Sequence, residues 1–138
     1  MIPPVNPPQP VASSYWRSLF KKILLTLILI PMLGGALYLG VVLNWSYSDG
    51  ERTGYLQKFS RKGWLCKTYE GELAMTLLPG GAPVIWSFSV RMWDDQLPAE
   101  LNKLMGKQVV LHYSEYRNIP SNCFGETTYF VDSVRVAD

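Results

Sequence analysis

The pattern of apolar and polar positions changes once along the chain, and the change is abrupt. Between Lys22 and Asp49 there is no charged residue, and Ile23 to Trp45 reads ILLTLILIPMLGGALYLGVVLNW. Thirteen of those 23 positions are Leu, Ile or Val. A helix of that length spans about 34 Å, enough for a hydrocarbon core of about 30 Å. The pattern therefore predicts one transmembrane helix over 19–46, a proline-rich tail over 1–18 and a β-rich domain over 47–138. Pro31, Gly34, Gly35 and Gly40 would weaken a helix in water but are tolerated in lipid. Trp45 and Tyr47 at one end, and Tyr15, Trp16 and Phe20 at the other, stand where interfacial aromatic side chains collect. A cleaved signal peptide would show a core of about 7–15 residues and a small-x-small site. This core is longer, and no Ala-x-Ala follows it, so the segment is read as an uncleaved anchor. No second stretch is apolar enough to cross a bilayer, which excludes a polytopic transporter.

After the anchor the period shortens to two. Arg52 to Phe59 reads as a strand, and Ser60-Arg61-Lys62-Gly63 as its turn. Trp64 to Leu77 reads as a second strand with Leu65, Tyr69, Leu73 and Met75 on one face, and Gly71 within it suggests a bulge or bend. Pro79-Gly80-Gly81-Ala82-Pro83 is a loop. Val84 to Trp93 follows as a third strand, with Trp86, Phe88 and Val90 alternating against Ser87, Ser89 and Arg91. The period then becomes helical. Asp94-Asp95-Gln96-Leu97-Pro98 has the composition of a helix start, Leu97, Leu101, Leu104 and Met105 recur at helical spacing, and Gly106 is a stop. Gln108 to Tyr116 and Thr127 to Val136 complete five strands, separated by a loop over Arg117 to Gly125. Three strands, a short helix and two strands is the element order of an OB-fold, a small five-stranded Greek-key barrel. An open sheet with one helix is the fallback. In such barrels the loops equivalent to Ser60–Gly63 and Arg117–Gly125 carry ligands.

Composition adds two constraints. Charged residues are 17% of the 138, against about 25% in soluble domains, and the deficit is the apolar segment. Residues 46–138 hold ten Lys or Arg and eleven Asp or Glu, a net charge of −1. That balance gives no electrostatic footprint for nucleic acid. Arg17, Lys21 and Lys22 precede the anchor with no acidic residue beside them, so the positive-inside rule puts the N-terminus in the cytoplasm. In a bacterium the domain would then be periplasmic, on an inner-membrane anchor. The tail MIPPVNPPQPVASS has five prolines and no charge. It reads as a solvated, disordered segment, and its one PxxP match, Pro4 to Pro7, is weak.

Candidate chemistry is sparse. His112 is the one histidine and has no nucleophile or orienting acid at useful spacing. Cys and His show no metal-ligand spacing. Glu70 with Glu72, and Asp94 with Asp95, could pair as acid and base; a solvated strand face and a helix cap explain them more simply. No catalytic residue, metal ligand or cofactor site is expected. Cys66 and Cys123 could close a disulfide in an oxidising compartment, or stay reduced with Cys66 packed as a small hydrophobe. Lys58, Arg61, Lys62 and Lys67 surround the first hairpin near Trp64. Cations interleaved with an aromatic form the best partner-binding candidate. Gly35, Ala36 and Gly40 are a small-residue face for helix–helix contact, although such residues are common in membrane helices.

Several runs resemble a family. Tyr47-Ser48-Asp49-Gly50-Glu51-Arg52-Thr53-Gly54, Lys58-Phe59-Ser60-Arg61-Lys62-Gly63, Lys67-Thr68-Tyr69-Glu70-Gly71-Glu72-Leu73 and Gly125-Glu126-Thr127-Thr128-Tyr129-Phe130-Val131 are similar to an uncharacterised family of short bacterial single-pass membrane proteins. The resemblance implies no catalytic residues. Some members carry a 6-phosphogluconate dehydrogenase label. This sequence argues against it, having no GxGxxG after a strand, no βαβ unit and too few residues for a dinucleotide fold.

Two functions follow as expectations. In the first, the outer domain is a non-enzymatic binding or assembly module that meets an envelope protein or polymer through its first hairpin and the loop at Cys123. In the second, the chain is an accessory subunit docked into a larger complex through its helix.

Overall fold

The computed structural model describes residues 12–75 and 79–138. Contacts divide the chain into two units, 1–40 and 41–138. Helix α1 spans Ala12–Asn44, and its stretch Tyr15–Asn44 is long and apolar enough to cross a membrane. Its large apolar side chains are exposed around the helix. The helix starts earlier than expected. Residues 12–18, assigned to the tail by composition, are helical, because nothing after Pro10 breaks a helix before Pro31. The rest of the tail, 1–11, lies outside the described residues. Thr26 Oγ1 donates to the carbonyls of Lys22 and Ile23, at 2.7 and 2.9 Å, which satisfies its hydroxyl without a partner helix.

The second unit contains β1 (Ser48–Lys62), β2 (Thr68–Met75), β3 (Val84–Val90), α2 (Gln96–Lys103), β4 (Gln108–Glu115) and β5 (Tyr129–Val136). The strands pair in the order β1-β2-β3-β5-β4, and β4 returns to β1 to close a barrel. All pairings are antiparallel except β3 with β5. Closure rests on the length of β1. Its first half, Ser48 to Tyr55, pairs with β4, and its second half, Tyr55 to Lys62, pairs with β2. A register shift between Leu56 and Lys58 bends the strand between those tasks, as bulges do at barrel corners.

The expected bend at Gly71 is therefore misplaced. Gly71 sits in regular register between Phe59 and Phe88. A Cβ there would collide with the ring of Phe88, so glycine is required by packing and not by a bulge. The alternating residues of β3 and β4 point inward as their period predicts: Phe88, Val90, Val109 and Leu111 are fully buried. Helix α2 adds Leu97 and Leu101 to the same core. Asp94 Oδ1 accepts from the amides of Gln96 and Leu97, both at 3.1 Å, so this carboxylate is a helix cap. Leu104 is half-buried, and Met105, expected on the buried face, is exposed. Inside the barrel the Arg52 guanidinium lies 4.9 Å from the Trp86 ring, 5.4 Å from Tyr113 and 5.7 Å from Tyr129. Three aromatic faces thus accommodate a half-buried cation.

Gly71→Ala should destabilise the barrel by about 1–3 kcal/mol, the usual cost of forcing atoms into a filled core. Chemical unfolding of the full chain in detergent micelles, followed by tryptophan fluorescence, measures it. An unchanged midpoint would show that Phe88 moves aside freely.

Candidate functional site

The pairings run round the sheet from the start of β1 to its end. Ser48 of β1 lies beside Glu115, the last residue of β4, and Glu115 lies beside Tyr129, the first of β5. Phe130 neighbours Ser89 near the end of β3, Val90 neighbours Tyr69 near the start of β2, and Thr68 neighbours Lys62 at the end of β1. The Cys66–Cys123 bond joins the β1–β2 loop (63–67) to the β4–β5 loop (116–128), and the two joined loops form a rim.

The hairpin is shifted from its expected place. Ser60, Arg61 and Lys62 belong to β1, whereas Trp64 and Leu65, expected to open β2, lie in the loop. Gly63 explains the shift. Its φ is +128°, and a Cβ there would collide with the carbonyl oxygen of Cys66. The chain reverses sharply at that point, so Leu65 projects away from the inward face expected for it. Trp64 and Leu65 stand 103% and 96% exposed. Large apolar side chains left wholly in water are uncommon outside contact surfaces.

The loop below this pair is locked. Cys66 and Cys123 form a disulfide across 57 positions, with 5.0 Å between their Cα atoms. A second lock is polar. Glu70, expected on a solvated strand face, is only 6% exposed. Its carboxylate accepts from Ser89 Oγ at 2.7 Å and from the Glu126 amide at 3.0 Å. Ser89 Oγ in turn accepts from the Thr127 amide at 3.1 Å. The β4–β5 loop folds over this part of β2 and β3 and removes Glu70 from solvent. A buried carboxylate is retained when its oxygens are hydrogen-bonded in this way.

The structure also redistributes the basic cluster. Lys58 pairs with Glu72 at 3.0 Å and Lys62 with Glu126 at 2.6 Å. Arg61 lies 5.6 Å from the Tyr69 ring. Lys67 is exposed beside the disulfide. Two of the four cations are thus neutralised by carboxylates, and the apolar pair between them dominates the tip. The hydrogen bond to Glu126, reinforced by the charges of Glu126, Glu70 and Glu72, holds the Lys62 ammonium above its ordinary 10.5. A raised ammonium pKa means that this contribution to stability is complete below 10.5 and is lost as pH rises through the higher folded-state value. The pair is solvent-exposed, so it is worth at most about 1 kcal/mol.

The remaining candidates lie elsewhere. His112 is half-buried, with Nδ1 3.7 Å from Asp132 Oδ2. Gly35, Ala36 and Gly40 are exposed on α1, and a Cβ on Gly35 or Gly40 would meet open space. Among the described residues no group of three or more His, Cys, Asp and Glu side chains is gathered to hold a metal ion.

Replacing both Cys66 and Cys123 with Ser should lower barrel stability by about 4 kcal/mol, the entropy released by opening a loop of about 57 residues. Denaturant unfolding with and without the bridge measures it, and coincident transitions would show that the loops hold without it. Glu126→Gln should lower the Lys62 pKa toward 10.5, followed by an NMR titration of the lysine side chains. A titration that does not move would place the source of the shift elsewhere.

No curated protein and no solved structure matches the chain. Residues 45–136, from the end of α1 through β5, match the domain of unknown function DUF8785. The match covers the whole barrel, including both loops of the rim, and the chain belongs to the DUF8785 family.

Proposed function

We propose that the chain is a non-enzymatic binding and assembly module of a bacterial inner membrane. In this reading α1 is the anchor, its N-terminus is cytoplasmic, and an OB-like barrel works in the periplasm. Arg17, Lys21 and Lys22 before the apolar segment support the orientation by the positive-inside rule. The Cys66–Cys123 disulfide supports an oxidising compartment. The strand order, with α2 between β3 and β4, supports the OB comparison, and the two rim loops are those through which such barrels bind ligands. The net charge of −1 over 46–138 speaks for an envelope partner over a nucleic acid.

One observation carries the reading. Trp64 and Leu65 are fully exposed on a loop fixed by a disulfide. Because the bridge already orders the loop, little conformational entropy is left to lose on contact, and such preorganisation favours binding. Tryptophan is also among the residues that most often anchor interfaces. The carboxylates that could suggest acid–base chemistry have structural tasks instead: Glu70 holds a loop and Asp94 caps a helix.

The accessory-subunit reading rests on a different observation, the open space around Gly35 and Gly40 on α1, which lets a second helix approach closely.

A diazirine analogue of leucine placed at Leu65, and separately at Ala36, distinguishes the two in the native membrane. Photo-adducts at Leu65 are the expected result. Adducts at Ala36 alone would transfer recognition to the helix, and none at Leu65 would end the binding-module reading.

A further inference from the structure

The short segment between β3 and α2 supplies Arg91, Trp93, Asp94 and Asp95 to a groove of about 630 Å³. Gln96 of α2, Tyr116 and Asp132 complete its polar lining. Clefts that take small ligands usually measure about 300–1,000 Å³. The groove shares no residue with the hairpin tip.

One cation and three carboxylates line this groove, yet they do not pair with one another. Among the described residues no ion pair joins Arg91 to Asp94, Asp95 or Asp132. Three of the four groups are tied elsewhere. Arg91 Nη2 donates to the Leu43 carbonyl at 3.2 Å. Its guanidinium lies 4.6 Å from the Tyr116 ring and 5.4 Å from the Trp93 ring. Asp94 Oδ1 accepts from the amides of Gln96 and Leu97. Asp132 Oδ2 accepts from Ser114 Oγ at 2.7 Å, with His112 Nδ1 3.7 Å away. Asp95 stands at the N-cap position without a side-chain cap bond, because Asp94 makes that bond instead. Donors and acceptors of opposite charge are therefore held apart in one cleft before any ligand arrives, and such preorganisation favours binding. Trp93 adds an apolar surface. Arg91 lies over one face of its ring, and the side chain is still 64% exposed.

We infer that this groove is a saccharide site and that its ligand is a sugar chain bearing free amino groups. A guanidinium only donates hydrogen bonds, and a carboxylate only accepts them. A simple anion would face three carboxylates. A simple cation would leave the spare donors of Arg91 without acceptors. A sugar hydroxyl both donates and accepts, so neighbouring hydroxyls of one ring satisfy both kinds of group. The C–H face of the same ring packs on an aromatic face, which is electronegative. One arginine against three aspartates gives the lining a net charge of −2, and protonated amines on the sugar complement that excess.

The full chain is held in a polyoxyethylene detergent, which has no sugar headgroup. It is titrated with the linear glucosamine trimer at mildly acidic pH, where the amines are protonated. NMR follows the indole N–H signals of the five tryptophans. The Trp93 signal should shift saturably, while those of Trp64 and Trp86 stay in place. Trp93→Ala assigns that signal by its loss, and the other indole signals report that the variant is folded. Calorimetry should find the trimer bound about tenfold more weakly by Trp93→Ala, the loss of one aromatic contact. Asp95→Asn, at an exposed side chain, should weaken it as well. The N-acetylated trimer should bind less tightly, and trilysine, of comparable charge and without hydroxyls, should leave the Trp93 signal unmoved. No shift of Trp93 at millimolar trimer overturns the inference. Trilysine that moves the signal as far, an N-acetylated trimer that binds as tightly, or unweakened binding by both variants overturns it too. Photo-adducts at Leu65 read the hairpin tip separately, so failure here leaves the binding-module reading standing.

Discussion

The barrel depends on one strand serving two neighbours. β1 gives its first half to β4 and its second half to β2, and without that sharing the sheet would have two open edges. Unpaired edges are the vulnerable part of any small sheet. The requirements for such a strand are visible along it. A register shift at Gln57 turns it. Gly54 lets the backbone of β2 approach, since a Cβ there would lie 2.5 Å from the Ala74 carbonyl oxygen. Leu56, at the turning point, is fully buried, and its amide and carbonyl bond to Lys107 and Gly106 before β4. The strand therefore closes the sheet and also helps fill the core.

The rim of loops is the product of that closure. Once β1 has wound round the barrel, both its start and its end lie among the ends of the other strands. The β1–β2 hairpin and the β4–β5 loop then meet although they are far apart in sequence. A disulfide and a buried carboxylate join them at two levels. Between those two fixed points the charges largely neutralise one another, and what the rim presents outward is apolar.

Much of this architecture was legible in the residues. The period of two in Trp86-Phe88-Val90 and Val109-Leu111-Tyr113 is strong because those strands are buried on one face, and the charge-free run before Trp45 has a single physical reading. Features that depend on distant segments were not legible. Ser48 to Glu51 looks like a polar linker, yet it is strand because β4 supplies its partners. Glu70 looks solvated because the loop that buries it arrives more than fifty residues later. Trp64 and Leu65 have strand-forming side chains, and only the left-handed backbone at Gly63 moves them into a turn. The pairing of Cys66 with Cys123 needed coordinates, since separation along a chain carries no geometry. The early start of α1 at Ala12 is hidden by the proline content of the tail as a whole, although the last proline before the helix is Pro10.

The cystine also changes what the chain is as a connected object. With Cys66 bonded to Cys123, the polypeptide is a closed ring with two tails, and β2, β3, α2 and β4 all lie on the ring. The exposed Pro79–Pro83 loop lies on it too. A single cut there leaves every strand covalently attached to α1, and only a cut combined with reduction separates the pieces. For this domain, one severed peptide bond is then damage without loss of material.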